Sequence, residues 1–220
     1  KGDGIEMNKE EAARYYKLAA DKGHVKSMHN YAYILYKFKD IETNKEAARY
    51  FKLAADKGFT YSMHYYARIL YEGNGIEMNR KEAVRYYKLA ADKGNIYSMH
   101  NYACILYEGD VIKMNKKESA RFFKLAADKG HIESIIKYAN MLYEGDGIEM
   151  NKEESAQYYK LAADKGDIQS TFMYAKILYN GEGIQANKTE SSVYFKLAAD
   201  KGHIESIIKY ANMLYEGDEI

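Results

Sequence analysis

Proline and tryptophan are absent from these 220 residues, and cysteine occurs once, at Cys104. A single cysteine excludes an internal disulfide, so the chain needs no oxidising compartment. No apolar run approaches the roughly 18 residues of a membrane-spanning helix, which excludes direct membrane insertion through helices. Charge of one sign is missing too: 33 Lys and Arg stand against 32 Asp and Glu, a net charge of +1. Binding to phosphate backbones is driven by counterion release and normally shows as a basic surplus. Nucleic acid and anionic membrane surfaces are therefore disfavoured as partners. The chain opens on KGDGIEMNKEE, which is neither a signal peptide nor a natural start, and nearly the same letters recur inside the sequence at 144–154. The expectation is a segment of a longer array, of cytoplasmic type.

What is present is repetition. KLAADKG begins at Lys17, Lys52, Lys88, Lys124, Lys160 and Lys196, spaced by 35 residues once and by 36 thereafter. A fixed period of this size marks a solenoid or array. In residues 131–166, Ser134, Ile135, Tyr138, Ala139 and Leu142 share one helical arc, and Ser155, Tyr158, Tyr159, Ala162 and Ala163 share another. That spacing predicts two amphipathic helices of about four turns, with no strand between them. Asn151 and Glu154 read as an N-cap and its capping-box glutamate, repeated as Asn8/Glu11, Asn79/Glu82, Asn115/Glu118 and Asn187/Glu190; such a pair satisfies orphan amides at the helix start. KLAADKG is then the last turn of each second helix, small enough for close packing, followed by a left-handed glycine stop. A single helix pair cannot bury its apolar face, so neighbouring pairs must stack. The fold class is all-α: an α/α superhelical solenoid of helix-turn-helix repeats with a 36-residue period.

A small residue, an apolar-small pair four residues on, Leu-Tyr, Gly-x-Gly-Ile, then Ala-x-x-Tyr-Tyr-Lys-x-Ala-Ala-x-x-Gly: this pattern resembles the Sel-1-like repeat, a relative of the tetratricopeptide repeat. The resemblance covers essentially all of the chain as one array, 1–220. Its complete units are 24–58, 59–94, 95–130, 131–166 and 167–202, flanked by partial units at 1–23 and 203–220. Two departures stand out. Phe38-Lys39-Asp40 replaces the glycine loop of the first unit, with one residue missing between Asn44 and Ala47, which predicts a broken cap and a weak seam over 36–48. Val111 replaces the second loop glycine of the third unit.

Motifs that suggest chemistry dissolve on inspection. Ser134-x-x-Lys137 and Ser206-x-x-Lys209 lack the Ser-Asp-Asn and Lys-Thr-Gly elements that acyl-transfer enzymes need, and their serines fall at the small packing position also held by Ser27, Ser62, Ser98 and Ser170. His29, His64 and His100 recur at one position, but stacked helices lie about 8–10 Å apart, too far for two imidazoles to share a zinc at about 2.1 Å. They read as surface histidines. GDGIEMN has its glycine second, where a calcium loop needs it sixth. The aromatic pairs at 15/16, 50/51, 86/87, 122/123, 158/159 and 194/195 read as core between repeats rather than base-stacking platforms. No cofactor, metal or catalytic residue is expected.

One stripe on the first helices varies while its neighbours do not. It contains His29 and Tyr33; Tyr61, His64, Tyr65 and Arg68; Tyr97, His100, Asn101 and Cys104; Ile136, Lys137 and Asn140; and Phe172, Met173 and Lys176. Drifting solvent positions fill with Lys, Glu and Gln, whereas aromatic and Arg enrichment marks interface anchors. The resemblance places first helices at a concave groove. It implies a noncatalytic scaffold or adaptor that binds a peptide or protein, with oligomeric state left open. The alternatives are a regulatory or recruiting arm of an enzyme, such as a kinase, whose catalytic domain lies outside the segment, and a base-per-repeat RNA reader.

Overall fold

The computed structural model describes residues 8–38 and 40–217. All regular structure among them is helical. The chain forms two compact units, Lys1–Lys113 and Met114–Ile220. The first holds α1 (Lys9–Asp21), α2 (Val25–Phe38), α3 (Ile41–Asp56), α4 (Thr60–Glu72), α5 (Arg80–Asp92) and α6 (Ile96–Glu108). The second holds α7 (Lys116–Ala127), α8 (Ile132–Glu144), α9 (Lys152–Asp164), α10 (Ile168–Asn180), α11 (Lys188–Asp200) and α12 (Ile204–Glu216). Within each unit, every helix packs against the next in sequence.

The helix boundaries follow from caps. Asn8, Asn79, Asn115, Asn151 and Asn187 each accept the amide of the glutamate three residues on, at 2.9–3.0 Å. Each second helix ends on a KLAADKG glycine with positive φ, such as Gly94 at +93°, whose amide returns to Ala91 O. That conformation costs glycine nothing. The heptapeptide does more than stop the helix. Its aspartate receives its own lysine, as in Lys52–Asp56 at 2.8 Å, and a tyrosine hydroxyl from the following second helix, as in Tyr86 to Asp56 at 3.1 Å and Tyr158 to Asp128 at 2.9 Å. One aspartate therefore ties successive repeats together.

In four of the five complete repeats a first-helix tyrosine meets a second-helix tyrosine edge to face, the third repeat having Phe122 at the second-helix position. The pairs are Tyr31–Tyr50 and Tyr66–Tyr86 in the first unit, at 5.0 Å, and Tyr138–Tyr158 and Tyr174–Tyr194 in the second, at 4.9 and 4.7 Å. Phe51, Tyr87, Phe123, Tyr159 and Phe195, the second members of five of the six aromatic pairs, are buried, while Tyr16 is half-buried. The small-residue serines are buried as well, and Ser134 bonds His131 at 3.0 Å.

The loops between first and second helices are seams. Gly75 has φ +86°, and a Cβ there would meet Asn44 Cβ, Ile41 O and Lys45 N at 2.8 Å. The residue before that glycine position pairs with the helix start of the preceding repeat: Arg80–Asp110 at 3.6 Å in the first unit, Lys116–Asp146 at 2.6 Å and Lys152–Glu182 at 2.8 Å in the second. Lys152 and the Tyr143 hydroxyl hold the Glu182 carboxyl down to about 2. Asp110 keeps its pairing although Val111 follows it.

The expected broken cap at Asn44 is corrected. α3 starts earlier, with Asp40 as N-cap accepting Thr43 N at 2.9 Å, and runs 16 residues where its counterparts run 12 or 13. The missing residue is absorbed by extending the helix toward α2. Asn44 then lies inside α3, fully buried, donating to Asn74 Oδ1 at 2.9 Å while its own Oδ1 has no partner. Lys39, the middle residue of the altered loop, lies outside the described residues.

Candidate protein-binding surface

The stripe residues divide by helical register into open positions and seam positions. In the first unit Tyr61 and Tyr97 are 53% and 56% exposed, and Arg68 is exposed. Tyr61 leans toward His29 of the repeat before it at 6.3 Å, and Tyr97 toward His64 at 5.8 Å. The surface reading of the histidines is overturned. His64 is buried, with Nδ1 3.1 Å from Ser98 Oγ of the next repeat, and His29 is half-buried, 2.9 Å from Ser62 Oγ. Burial lowers both imidazoles to about 4. His100 is half-buried and its Nε2 lies 3.6 Å from Cys104 Sγ one turn on. His29 and His64 occupy seams, because their register on the first helix rotates toward the following repeat.

Tyr65 is a seam residue also, stacked on Phe51 at 5.1 Å with an interplanar angle of 13° and edge-on to Tyr33 at 5.4 Å. Burial, then the neighbouring Tyr33, pushes its hydroxyl up to about 12. Arg68 bonds Glu72 at 2.8 Å and lies over the Tyr36 ring at 5.9 Å. Arg68, Asn101 and Cys104 open onto a cavity of about 370 Å³ that Glu72, Tyr87 and Glu108 complete. Those last three escape the variability argument. Glu72 and Glu108 repeat at the last turn of their helices, so a search for variation passes over them.

In the second unit Lys137 and Lys176 are exposed, while Ile136, Asn140, Phe172 and Met173 are half-buried. Ile136 packs on Ala127, Ile135 and Ala162. Phe172 lies 4.6 Å from the His203 ring, and Asn140 accepts the Tyr159 hydroxyl at 2.6 Å. Met173 joins the cluster around Tyr159 and Tyr174. A larger cleft of about 850 Å³, between α7, α8 and the loop into α9, contains no stripe residue.

Among the described residues no group of three or more His, Cys, Asp or Glu is placed to hold a metal ion, and no helix is long and apolar enough to cross a membrane. The seams, caps and stacked helix pairs define an all-α repeat solenoid. The chain belongs to the Sel1 repeat family: the family model, described as Sel1 repeat, matches residues 1–24, 25–59, 60–95, 96–131, 132–167 and 168–203. Such proteins are generally noncatalytic protein-interaction scaffolds. Three solved structures are similar in fold. A protective antigen of uropathogenic Escherichia coli strains is 22% identical with a TM-score of 0.74 over 96% of this chain. This chain spans about half of that antigen, 52% of its length. A Sel1 repeat protein of Oxalobacter formigenes is 20% identical with a TM-score of 0.72, covering 96% of this chain and 91% of its own. A Sel1 repeat protein of Klebsiella pneumoniae is 13% identical with a TM-score of 0.53, covering 91% and 98%. No curated protein sequence gives a significant match.

Proposed function

We propose that this chain is a noncatalytic scaffold that holds a peptide or protein partner on the first-helix stripe. The observation that carries the reading is the pair Tyr61 and Tyr97, more than half exposed at equivalent positions of successive repeats. Each rests on a packed seam, so its ring is held in place while one face stays in water. Rigid, partly exposed aromatics beside an arginine are the composition of binding hot spots. Arg68, Asn101 and Cys104 add a polar recess, about 370 Å³, next to them. Ser134 and Ser206 have no catalytic part in this reading, since both are fully buried and bonded to His131 and His203.

Selection of peptides from a random library against the immobilised chain, followed by hydrogen-exchange footprinting, tests the assignment. Protection centred on 61–72 and 97–108 supports it. Protection confined to the second helices moves the site to the other face.

A further inference from the structure

The second helices of the first unit carry a different surface. Arg14, Arg49 and Arg85 occupy one register in α1, α3 and α5, and all are exposed. Each guanidinium lies over the aromatic ring that follows it, at 5.1, 5.4 and 5.3 Å. Those contacts limit the motion of the arginines; Arg85 also makes a long, solvent-exposed pair with Glu82 at 3.7 Å, which an incoming carboxylate would compete with. Carboxylates on the same helices are largely engaged: Asp56 by Lys52 and the Tyr86 hydroxyl, Asp92 by Lys88 at 3.1 Å, Glu46 by the Tyr31 hydroxyl at 3.1 Å. Among the described residues Arg49, Lys57 and Lys93 make no ion pair. The overall charge of +1 thus hides a local basic surplus.

Apolar surface runs through it. The KLAADKG leucine repeats in every second helix without being buried, with Leu53 at 39% and Leu89 at 42% exposure. Between α3 and α5 a cleft of about 680 Å³ is floored by Leu89 and Met63 and rimmed by Arg85 and Lys93. The second unit has a similar cleft, about 720 Å³, between α7 and α9, but Gln157 stands there where Arg85 stands in the first. In the second unit the register reads Arg121, held over Phe122 at 4.4 Å and paired with Glu118 at 3.8 Å, then Gln157 and Val193. Arginines on successive second helices are thus confined to the first unit. Solvent drift explains scattered charges; it does not explain a ladder of ring-held arginines beside leucines.

We propose that the second-helix face of the first unit is a docking site for an acidic amphipathic peptide segment of a partner protein. Its carboxylates pair with Arg49 and Arg85, and an aliphatic side chain enters the cleft over Leu89. Charge complementarity selects this occupant, because Arg forks match carboxylates bidentately and the leucine floor rejects a purely polar polyanion. The site is independent of the first-helix stripe.

The test uses the full chain and a fluorescent helical peptide of Glu, Leu and Ala, about four turns long, read by anisotropy across a salt series. A twin with Gln for Glu is the control, with a thymidine oligonucleotide and phosphatidylserine vesicles as rival probes. The acidic peptide binds, more weakly as salt rises; the Gln twin does not. Arg49→Gln/Arg85→Gln weakens binding at least about tenfold, Leu89→Ser weakens it without changing the salt slope, and Tyr61→Ser/Arg68→Ser/Tyr97→Ser leaves it intact. Equal binding by the Gln twin or by the double arginine variant overturns the proposal. So does binding of the oligonucleotide or the vesicles without binding of the peptide, which would make the face a nucleic-acid or membrane contact.

Discussion

His64 of one repeat hydrogen-bonds Ser98 of the next, Nδ1 to Oγ at 3.1 Å, and the ring is buried where it does so. Burial holds the His64 and His29 pKa near 4, below the ordinary 6.5, so the fold favours the neutral ring. The unfolded chain binds more protons than the folded one between those values. Stability is therefore complete above pH 6.5 and falls as pH drops toward 4, by up to about 1.4 kcal/mol per pH unit for each histidine. Melting temperatures at pH 7, 5.5 and 4.5 should decline for the natural chain, and less steeply for His64→Asn. Equal slopes would mean the carboxylates alone set the acid limit.

Gly75 and Gly94 separate two costs of adding a side chain. Both have positive φ, +86° and +93°, but only Gly75 faces atoms at 2.8 Å, whereas nothing lies within 4 Å of Gly94. Gly94→Ala should cost about 1 kcal/mol, the conformational term. Gly75→Ala should cost at least about 2 kcal/mol, because backbone of α3 must move as well. Urea titration of both variants measures the difference; similar midpoints would show that the loop seam yields freely.

Much of this architecture is legible in the letters. Asn caps, glycine stops and the two apolar arcs of 131–166 reappear as helices at those places, because each depends on residues within one turn. What spans repeats is not legible. His64 shares a register with Ile136 and Phe172, and only the stacked neighbour reveals that this register faces a seam. The α3 start is a near miss: Asp40 and Thr43 compete with Asn44 as a cap signal, and helix extension decides between them. Within the stripe, variation identifies the open positions Tyr61, Arg68 and Tyr97, yet it cannot separate them from His64 and Tyr65. The arginine ladder of α1, α3 and α5 is hidden by a net charge summed over the whole chain.

The seam around α3 should still open first in its unit. Its cap survives as Asp40, but the seam contains the buried, unpartnered Oδ1 of Asn44. Hydrogen exchange is expected to be fastest, among interior seams, over 40–48, and Asp40→Ala should accelerate it there while leaving 114–217 unchanged. Exchange as slow as at the α5–α6 seam would contradict this.

The measurement that bears most directly on the scaffold reading is the triple substitution Tyr61→Ser/Arg68→Ser/Tyr97→Ser. All three side chains are exposed, whereas Ala90 and Leu106 nearby are buried. Helicity and melting should stay close to those of the natural chain, since the seam residues Phe51, His64 and Tyr65 are kept and only contacts at the exposed edge are lost. Proteins captured from a native extract, quantified against the natural chain and against Arg49→Gln/Arg85→Gln, should lose a specific partner from the triple variant, with a loss of about 2 kcal/mol or more per hot-spot residue. An intact fold with every partner retained would contradict the account and remove the first-helix stripe as a binding surface.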